Sequence, residues 1–288
     1  MSAANSDTIQ RFLLEDLDIR GAHVRLGTSW QAILKNRNFP PAVTRLLGEM
    51  TAITSLIGGN LKQAGRLTFQ LRGDGQIPMM VVDCTAGLNV RGYASVDSVP
   101  ADDASLQTLL GSGRLLMTLD IEDAAQPFQS YVPIEGDTLA QVFEHYLELS
   151  EQQPAWLMLY ADAEGAAGLF LQKLPDADIR DADGWSRVTQ LAQTLKNEEL
   201  KGLDSVELLT RLFHEETVRI YEARRVEHNF PPDRDKIATM LRSLGHEEIE
   251  RIISEHGEVI VNDDLSNHRY DFSPEEARAL FEQAPTLH

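Results

Sequence analysis

The first stretch that could do chemistry carries a lone thiol. Cys84, in "IPMMVVDCT", could act as a nucleophile with one of the eight histidines of the chain. No Cys-His motif surrounds it, and it stands in an apolar, strand-like run, where a free cysteine usually behaves as a small hydrophobe. We therefore interpret Cys84 as a core residue and predict that the protein is not an enzyme built on it.

Two further motifs resemble chemical sites without completing them. "LRGDGQIP" places glycines on both sides of Asp74, as in phosphate-binding loops, but it lacks the Lys-Ser/Thr of a P-loop and precedes a strand-like run. "FHEETVRI" contains His214, Glu215 and Glu216, but Val218 stands where an HExxH zinc motif has its second histidine. We predict a hairpin turn for the first motif and a helix end for the second.

The late stretch "GEVIVNDDLSNHRYDF" offers oxygen and nitrogen donors to a metal. Asp263, Asp264 and His268, with His228 upstream, could coordinate an ion. Their spacing matches no calcium loop, which needs alternating oxygen donors and a central glycine. Metal binding through His228, Asp263 and His268 therefore stays open. The stretch itself predicts two strands around a turn, because Val, Ile, Tyr and Phe favour strands and the Asn/Asp/Ser run favours a turn.

Composition restricts the class of partner. The net charge of −19 disfavours nucleic acid and anionic membranes, since both need a basic surface. One cysteine excludes an intrachain disulfide and a multi-cysteine metal site. No apolar run approaches the roughly 20 residues of a membrane span. The opening "MSAANSDTIQRFLLEDL" lacks the features of a signal peptide, so we expect a cytoplasmic protein.

The elements that would position these residues predict an α+β fold. "RLTFQLRG", "IPMMVVDCT" and "NVRGYASV" alternate with turn residues and indicate an antiparallel meander. Thr28 and Gln31 have capping-box spacing before a helix, and apolar residues from Pro41 onwards recur at helical spacing. Antiparallel strands mixed with a few helices are typical of α+β domains.

We predict three parts: a core over residues 1–175, a helical segment over 176–228 and a small domain over 229–288. The acidic, turn-rich "PDADIRDADG" marks the first boundary. Two helical patterns follow it, "WSRVTQLAQTLKNEEL" and "DSVELLTRLFHEE", and then a strand-like "TVRIYEARRVEHNF". In the last part, one helix face is predicted from Ile237, Met240, Leu241 and Leu244, and Ser273 is predicted to cap the final helix ahead of Pro274.

Several long motifs resemble the heat-shock protein 33 family. "GDTLAQVFEHYLELSEQQPAWLMLY", "AAGLFLQKLPDAD" and "LRGDGQIPMMVVD" are similar to its core, and "LLTRLFHEETVRIYEARRVEHNF" to the segment leading into its zinc domain. The resemblance runs in order over nearly the whole chain. It implies a core, a helical linker and a C-terminal switch domain, and an ATP-independent holdase chaperone of the stress response. Its partners would be unfolded or partly folded proteins, and a homodimer is left open.

The chain departs from the family at its switch. Family members carry Cys-x-Cys and Cys-x-x-Cys, whose four thiolates bind zinc until oxidation expels it. The matching positions here are Phe230, Pro232, Asp263 and Ser266. Phenylalanine and proline cannot bind zinc, and serine is a poor ligand. We therefore expect no zinc, no other cofactor and no disulfide switch.

Apolar packing is the expected substitute for the metal. We predict that five residues pack on the isoleucine-bearing helix faces and contribute about 1.5–3 kcal/mol each. They are Phe230, Leu265, Tyr270, Phe272 and Phe281. A folded but marginally stable C-terminal domain, which heat opens without an oxidant, is the resulting expectation.

The family resemblance also implies where clients bind. The linker helices and adjoining core are associated with client capture, and the matching apolar candidates are Leu191, Leu195, Leu208, Leu209 and Phe213. The same residues could instead pack the linker onto the core, and both roles hold if the linker undocks. A holdase and an adaptor that binds one defined partner through this surface both fit the sequence; suppressed aggregation of several unrelated clients would favour the holdase.

The loss of all four thiolates makes a direct prediction about metal. We expect the purified protein to contain no stoichiometric zinc by elemental analysis, and a chelator to leave its thermal melt unchanged. About one zinc per chain, lost together with its binding when His228, Asp263 and His268 are replaced, would contradict this expectation.

Overall fold

A computed structural model describes residues 7–61, 65–122 and 124–282. The chain divides into two compact units, one within residues 1–228 and one within residues 229–288. The first unit contains two antiparallel sheets with helices, and the second contains a two-stranded antiparallel sheet with helices. This mixture confirms the predicted α+β class. None of the helices in the described ranges is long and apolar enough to span a membrane.

The first sheet is antiparallel throughout. Its most buried strand has seven of eight residues inaccessible, which indicates that both faces of the sheet are covered. The N-terminal strand was not predicted, because that stretch was interpreted only for targeting signals. In spatial order the strands are β10 (Val218–Ile220), β1 (Thr8–Leu14), β2 (Ile19–Leu26), β9 (Ala166–Lys173) and β8 (Ala155–Ala161), with β11 (Arg224–Arg225) on β1.

The second sheet contains the predicted meander. Its central hairpins pair in antiparallel register, and inward residues alternate with outward ones. The loop of residues 73–78 that contains Asp74 is a hairpin turn, as predicted. In spatial order the strands are β5 (Val90–Ser95), β4 (Met79–Thr85), β3 (Gly65–Arg72), β6 (Arg114–Ile121) and β7 (Phe128–Val132).

One long helix, α2 (Pro41–Asn60), contacts strands of both sheets and forms the centre of the main core. It is buried almost all round, so its polar side chains need internal partners. The Thr51 hydroxyl donates to the Leu47 carbonyl at 2.7 Å, and the Ser55 hydroxyl donates to the Thr51 carbonyl at 2.8 Å. Two other helices of this unit are α3 (Leu106–Leu110) and α4 (Leu139–Glu151).

Helix α1 (Thr28–Leu34) is capped differently from the prediction. Thr28 is its first helical residue and caps nothing. The carboxylate of Asp7 instead accepts hydrogen bonds from the backbone N–H groups of Gly27 and, at 2.8 Å, Ser29. The predicted capping box is wrong because a carboxylate distant in sequence already satisfies these N–H groups.

Four short helices follow β9 in the chain, and the last three of them cover the outer face of the first sheet. The structure corrects their predicted lengths. The helix predicted over 185–200 is interrupted at residues 193–196, where the Thr194 hydroxyl donates to the Leu191 carbonyl at 2.7 Å. The strand predicted over 217–230 is reduced to β10 and β11. The helices are α5 (Ala177–Arg180), α6 (Gly184–Ala192), α7 (Asn197–Gly202) and α8 (Ser205–Leu212).

The second unit has its own apolar core, to which every element contributes. Ser273 caps the last helix as predicted, since its hydroxyl accepts from the Glu276 N–H at 3.2 Å. The elements are α9 (Arg234–Leu244), α10 (His246–His256), β12 (Val259–Asp263), β13 (His268–Phe272) and α11 (Pro274–Glu282).

The predicted core of this unit is right in part. Tyr270 and Phe272 are buried on one face of β13, and Phe281 packs against the cluster. Phe230 and Leu265 are only half-buried and lie outside the cluster, because they belong to the segment before α9 and to the hairpin turn.

The helix face predicted for α9 is also only half right. Ile237 and Leu241 are buried, whereas Met240 and Leu244 are 41% and 50% exposed. The buried face of α9 is therefore narrower than the sequence pattern suggested.

The separate core predicts that a cavity there destabilises only the second unit. We expect Leu241→Ala to lower the free energy of unfolding of residues 229–288 by about 2–5 kcal/mol, because it deletes a fully buried side chain. Met240→Ala is the matched control, since Met240 lies on the same helix, is 41% exposed and lies outside the core cluster. Amide exchange resolved by segment tests this; loss of protection in β1 or β2 in the Leu241→Ala variant would contradict it.

Candidate functional site

The apolar candidates of the linker lie in one layer between the short helices and the first sheet. Leu208, Leu209 and Phe213 are at most 1% exposed, and Leu195 is also buried. Leu191 is half-buried and packs against the same cluster. Facing them are alternate residues of β1, β2 and β9, on the side of the sheet opposite α2. We call this set the linker layer: Leu191, Leu195, Leu208, Leu209 and Phe213 together with the facing Phe12, Ile19, Leu169 and Leu171.

Close packing fixes the strands of the linker layer. The ring of Phe12 lies over Gly21, where a Cβ atom would come within 2.2 Å of it. The same ring meets that of Phe213 with centroids 6.3 Å apart. Only glycine fits beneath Phe12, so the sequence at position 21 is set by this aromatic contact.

Ion pairs lie at the edges of the linker layer. The Arg187 guanidinium bonds to the carboxylates of Asp181 and Glu216 at 2.9 and 2.8 Å. The pKa of Arg187 is raised, chiefly by its hydrogen bond to Glu216. At the other end, Lys201 pairs with Asp162 at 2.5 Å, and this hydrogen bond raises the pKa of the lysine. Partly exposed pairs of this kind stabilise by about 1 kcal/mol or less, so they orient the helices more than they hold them.

Hydrogen bonds close the hairpin of the second unit, at residues that the sequence resemblance aligns with zinc ligands. The Asp263 carboxylate accepts from the Ser266 N–H at 3.1 Å, which forms the turn between β12 and β13. Ser266 is buried, and Asp263 is half-buried. The imidazole Nε2 of His268 donates to the Phe230 carbonyl and so ties the hairpin to the segment before α9. Pro232 is exposed in that segment.

Two aromatic residues of β13 join this hairpin to α9. The Tyr270 hydroxyl accepts from the Asp233 N–H at 2.8 Å. The guanidinium of Arg234 lies 4.1 Å from the ring centroid of Phe272, and its Nη2 also donates to the Asp271 carbonyl. A cation over an aromatic face contributes about 0.5–2 kcal/mol. Several modest contacts thus tie the hairpin to α9.

The residues present do not fit a tetrahedral zinc. Phe230 and Pro232 offer no side-chain donor, and Asp263 already bonds to the backbone of Ser266. A group of three or more His, Cys, Asp or Glu side chains able to share a metal is absent from residues 7–61, 65–122 and 124–282. His228, in the first unit, uses Nδ1 to bond the Val90 carbonyl at 2.8 Å.

The lone thiol is placed where nucleophilic chemistry is disfavoured. Cys84 is fully buried, and burial raises the pKa of its thiol to about 12. A Cβ atom on Gly58 would come within 2.7 Å of its sulfur, so the thiol is tightly packed against α2. The thiolate is the reactive form of cysteine, and at neutral pH it is essentially unpopulated here.

The two incomplete motifs also have structural roles. In the glycine loop, the Gly73 and Gly75 N–H groups donate to the Pro78 and Leu110 carbonyls, so they do not face a ligand. Asp74 accepts from the Ser112 N–H at 2.6 Å. In the second motif, which follows the end of α8 as predicted, Glu216 is the partner of Arg187, and His214 and Glu215 are exposed.

Comparison with known proteins gives one consistent family. The family model described as Hsp33 protein matches residues 7–273. A 33 kDa chaperonin of Neisseria meningitidis is 40% identical over 279 residues, which cover 96% of this chain and 92% of that protein. The 33 kDa chaperonin of Chromobacterium violaceum is 40% identical over 284 residues, which cover 98% of this chain and 96% of that protein.

A solved structure agrees with this family in fold. The crystal structure of the 33 kDa chaperonin (heat shock protein 33 homolog) from Thermotoga maritima superposes with a TM-score of 0.81 and 22% sequence identity. The match covers 96% of this chain and 98% of that one. With the family model and the sequence relatives, it leads to one conclusion: this chain belongs to the Hsp33 family of heat-shock chaperones, which are not enzymes.

Proposed function

We propose that this protein is an ATP-independent holdase, which binds unfolded or partly folded proteins through the linker layer and prevents their aggregation. The observation that carries the proposal is the layer itself: a continuous apolar surface covered by three short helices, α6, α7 and α8. Helices of six to nine residues are marginal in isolation, so their order depends on docking. Undocking would therefore present both the sheet face and the apolar helix faces to a client.

The proposal assigns a task to each predicted part of the chain. Residues 1–175 supply the rigid sheet except for its strands β10 and β11. The helices within residues 176–228 supply the movable cover, and residues 229–288 act as the regulatory domain. The net charge of −19 keeps a protein that displays apolar surface from aggregating. The same charge argues against nucleic acid and membrane as partners, and we place the activity in the cytoplasm. A homodimer is compatible with this scheme and is not required by it.

Control by zinc and disulfide exchange is not part of the proposed mechanism. The one cysteine is buried, and the positions that match the family's zinc ligands hold Phe230, Pro232, Asp263 and Ser266. A structural zinc can supply about 10–16 kcal/mol of apparent binding free energy. Each hydrogen bond in the hairpin contributes only about 0.5–1.5 kcal/mol. The second unit, without a metal, should therefore open at lower cost than a zinc-bound domain of the same size.

A double substitution in the linker layer tests where clients bind. We expect Leu195→Asp with Leu209→Asp to weaken suppression of client aggregation by tenfold or more, because each apolar contact contributes about 1.5–3 kcal/mol. The measurement is light scattering of several unrelated unfolding clients against chaperone concentration, with circular dichroism to show that the core stays folded. Val206→Asp is the control, since Val206 lies on α8 but is 55% exposed.

Unchanged aggregation suppression in the double variant would remove the linker layer from the mechanism. Suppression of only one client by the native protein would instead favour an adaptor that binds a defined partner.

The absence of thiolate ligands predicts the activating signal. We expect mild heating alone to lower amide protection in β12 and β13 before the first unit loosens, with holdase activity rising over the same interval. Peroxide alone should change neither, because the only thiol is buried and protonated. Cys84→Ser should respond to heat like the native chain. Activity that appears only after peroxide, or hairpin amides that exchange last, would refute thermal control.

A further inference from the structure

A fully buried histidine lies beneath the short helices, on the linker side of the first sheet. His23 belongs to β2, where Ile19, Gly21 and His23 face the linker layer and the alternate residues face α2. Its neighbours across the sheet are Gln10 on β1 and Leu169 on β9, both uncharged. An imidazole without solvent contact must find its hydrogen-bond partners within the protein.

Both ring nitrogens of His23 bond to the covering helices. Nε2 lies 3.1 Å from the Leu200 carbonyl of α7, and Nδ1 lies 2.9 Å from the Ser205 hydroxyl at the start of α8. A carbonyl only accepts, so Nε2 carries the proton, and the neutral ring then accepts from the serine hydroxyl at Nδ1. One neutral imidazole thus joins the sheet to two separate helices.

The charged groups around His23 do not offset the cost of burying its charged imidazolium form. Arg25 on β2 disfavours the imidazolium, and Asp204 at the start of α8 favours it. On α7, Lys201 is paired with Asp162 and with Glu164 from the loop between β8 and β9. Glu207 on α8 bonds through its backbone N–H to Asp204.

We propose that His23 is a positioning residue and an acid-sensitive latch: in its neutral form it holds α7 and α8 on the sheet, and its protonation releases them. The inference rests on the proposed function, because the released surface is the linker layer. Under this inference, acid is a second signal, beside heat, that exposes the linker layer.

The direction and size of the effect follow from linkage. Burial lowers the pKa of His23 from 6.5 to about 4 in the docked state. The undocked, hydrated ring binds a proton more tightly, so acidification favours undocking. Between pH 7.5 and pH 5 the ratio of undocked to docked molecules should rise roughly 30-fold, with most of the change below pH 6.5. The effect saturates near pH 4, where the docked ring also protonates.

Two half-buried carboxyls on helices of the first unit titrate in the opposite sense. Burial raises the pKa of Glu49 on α2 to about 7, and it also raises the pKa of Glu144 on α4. A carboxyl whose folded pKa is raised stabilises the fold as the pH falls. Mild acid therefore strengthens this part of the core while it loosens the cover, and the two effects favour local undocking over global unfolding.

The test is segment-resolved amide exchange of the full chain at pH 7.5, 6 and 5, corrected for intrinsic exchange rates, beside aggregation suppression at the same pH values. We expect protection of α7 and α8 to fall roughly 30-fold while β2 and α2 stay protected, and suppression to increase in parallel. His23→Gln, which keeps a hydrogen-bonding amide but has no charge to gain, should abolish this pH response and retain the heat response. His214→Gln, at an exposed position just after α8, is the control and should behave like the native chain.

Ser205→Ala keeps the test decisive if the glutamine variant is poorly folded. Removing this hydroxyl should loosen α7 and α8 already at neutral pH and leave the change in their protection between pH 7.5 and 5 in place. Equal pH responses in the native and His23→Gln chains, or acid-resistant protection of α7 and α8, would overturn the latch. Release of the helices in acid without any gain in client binding would support the latch and instead refute the linker layer as the client surface.

Discussion

The structure depends on how the first sheet is covered on the face opposite α2. Strand β9 is apolar on both faces, so the first sheet cannot be left open to water on either side. One face is buried by the long helix α2 and the other by the three short helices α6, α7 and α8. A long helix with internal hydrogen bonds is a permanent cover, whereas short helices depend on the surface that they bury. The asymmetry between these covers makes one face of the sheet a core and the other a candidate binding surface.

Polar contacts orient the short helices and make their docking depend on conditions, whereas apolar packing supplies most of the docking free energy. The ion pairs at the edges are partly exposed and orient more than they stabilise. His23 is different because its two hydrogen bonds lie in a dry environment, where burial disfavours the charged form of the ring. The apolar layer therefore supplies most of the docking free energy, and the buried imidazole makes that docking conditional. Under the proposed function, apolar docking with a pH-sensitive contact would cover the client-binding surface and expose it on a signal.

The second unit shows how contacts spread over several elements hold a small domain. A zinc site would instead fix four ligands at a single point, so its loss would disrupt the whole domain. Here the turn is formed by Asp263 and Ser266, while His268, Tyr270 and Arg234 each tie the hairpin to the segment before α9 or to α9 itself. Contacts distributed in this way are individually weak. The elements that they join share one small apolar core.

The sequence by itself determined the family, the α+β class and most strands, because these depend on local patterns and residue types. The hairpin and the cap at Ser273 were predictable for the same reason. Only the tertiary structure decided that Asp7 caps α1, that Phe230 and Leu265 lie outside the second core, and that His23 bonds to two helices almost 180 residues away. A lone histidine in a strand carries no periodic or spacing signal. Its role arises from burial and from partners that folding brings together, and no pattern along the chain encodes those.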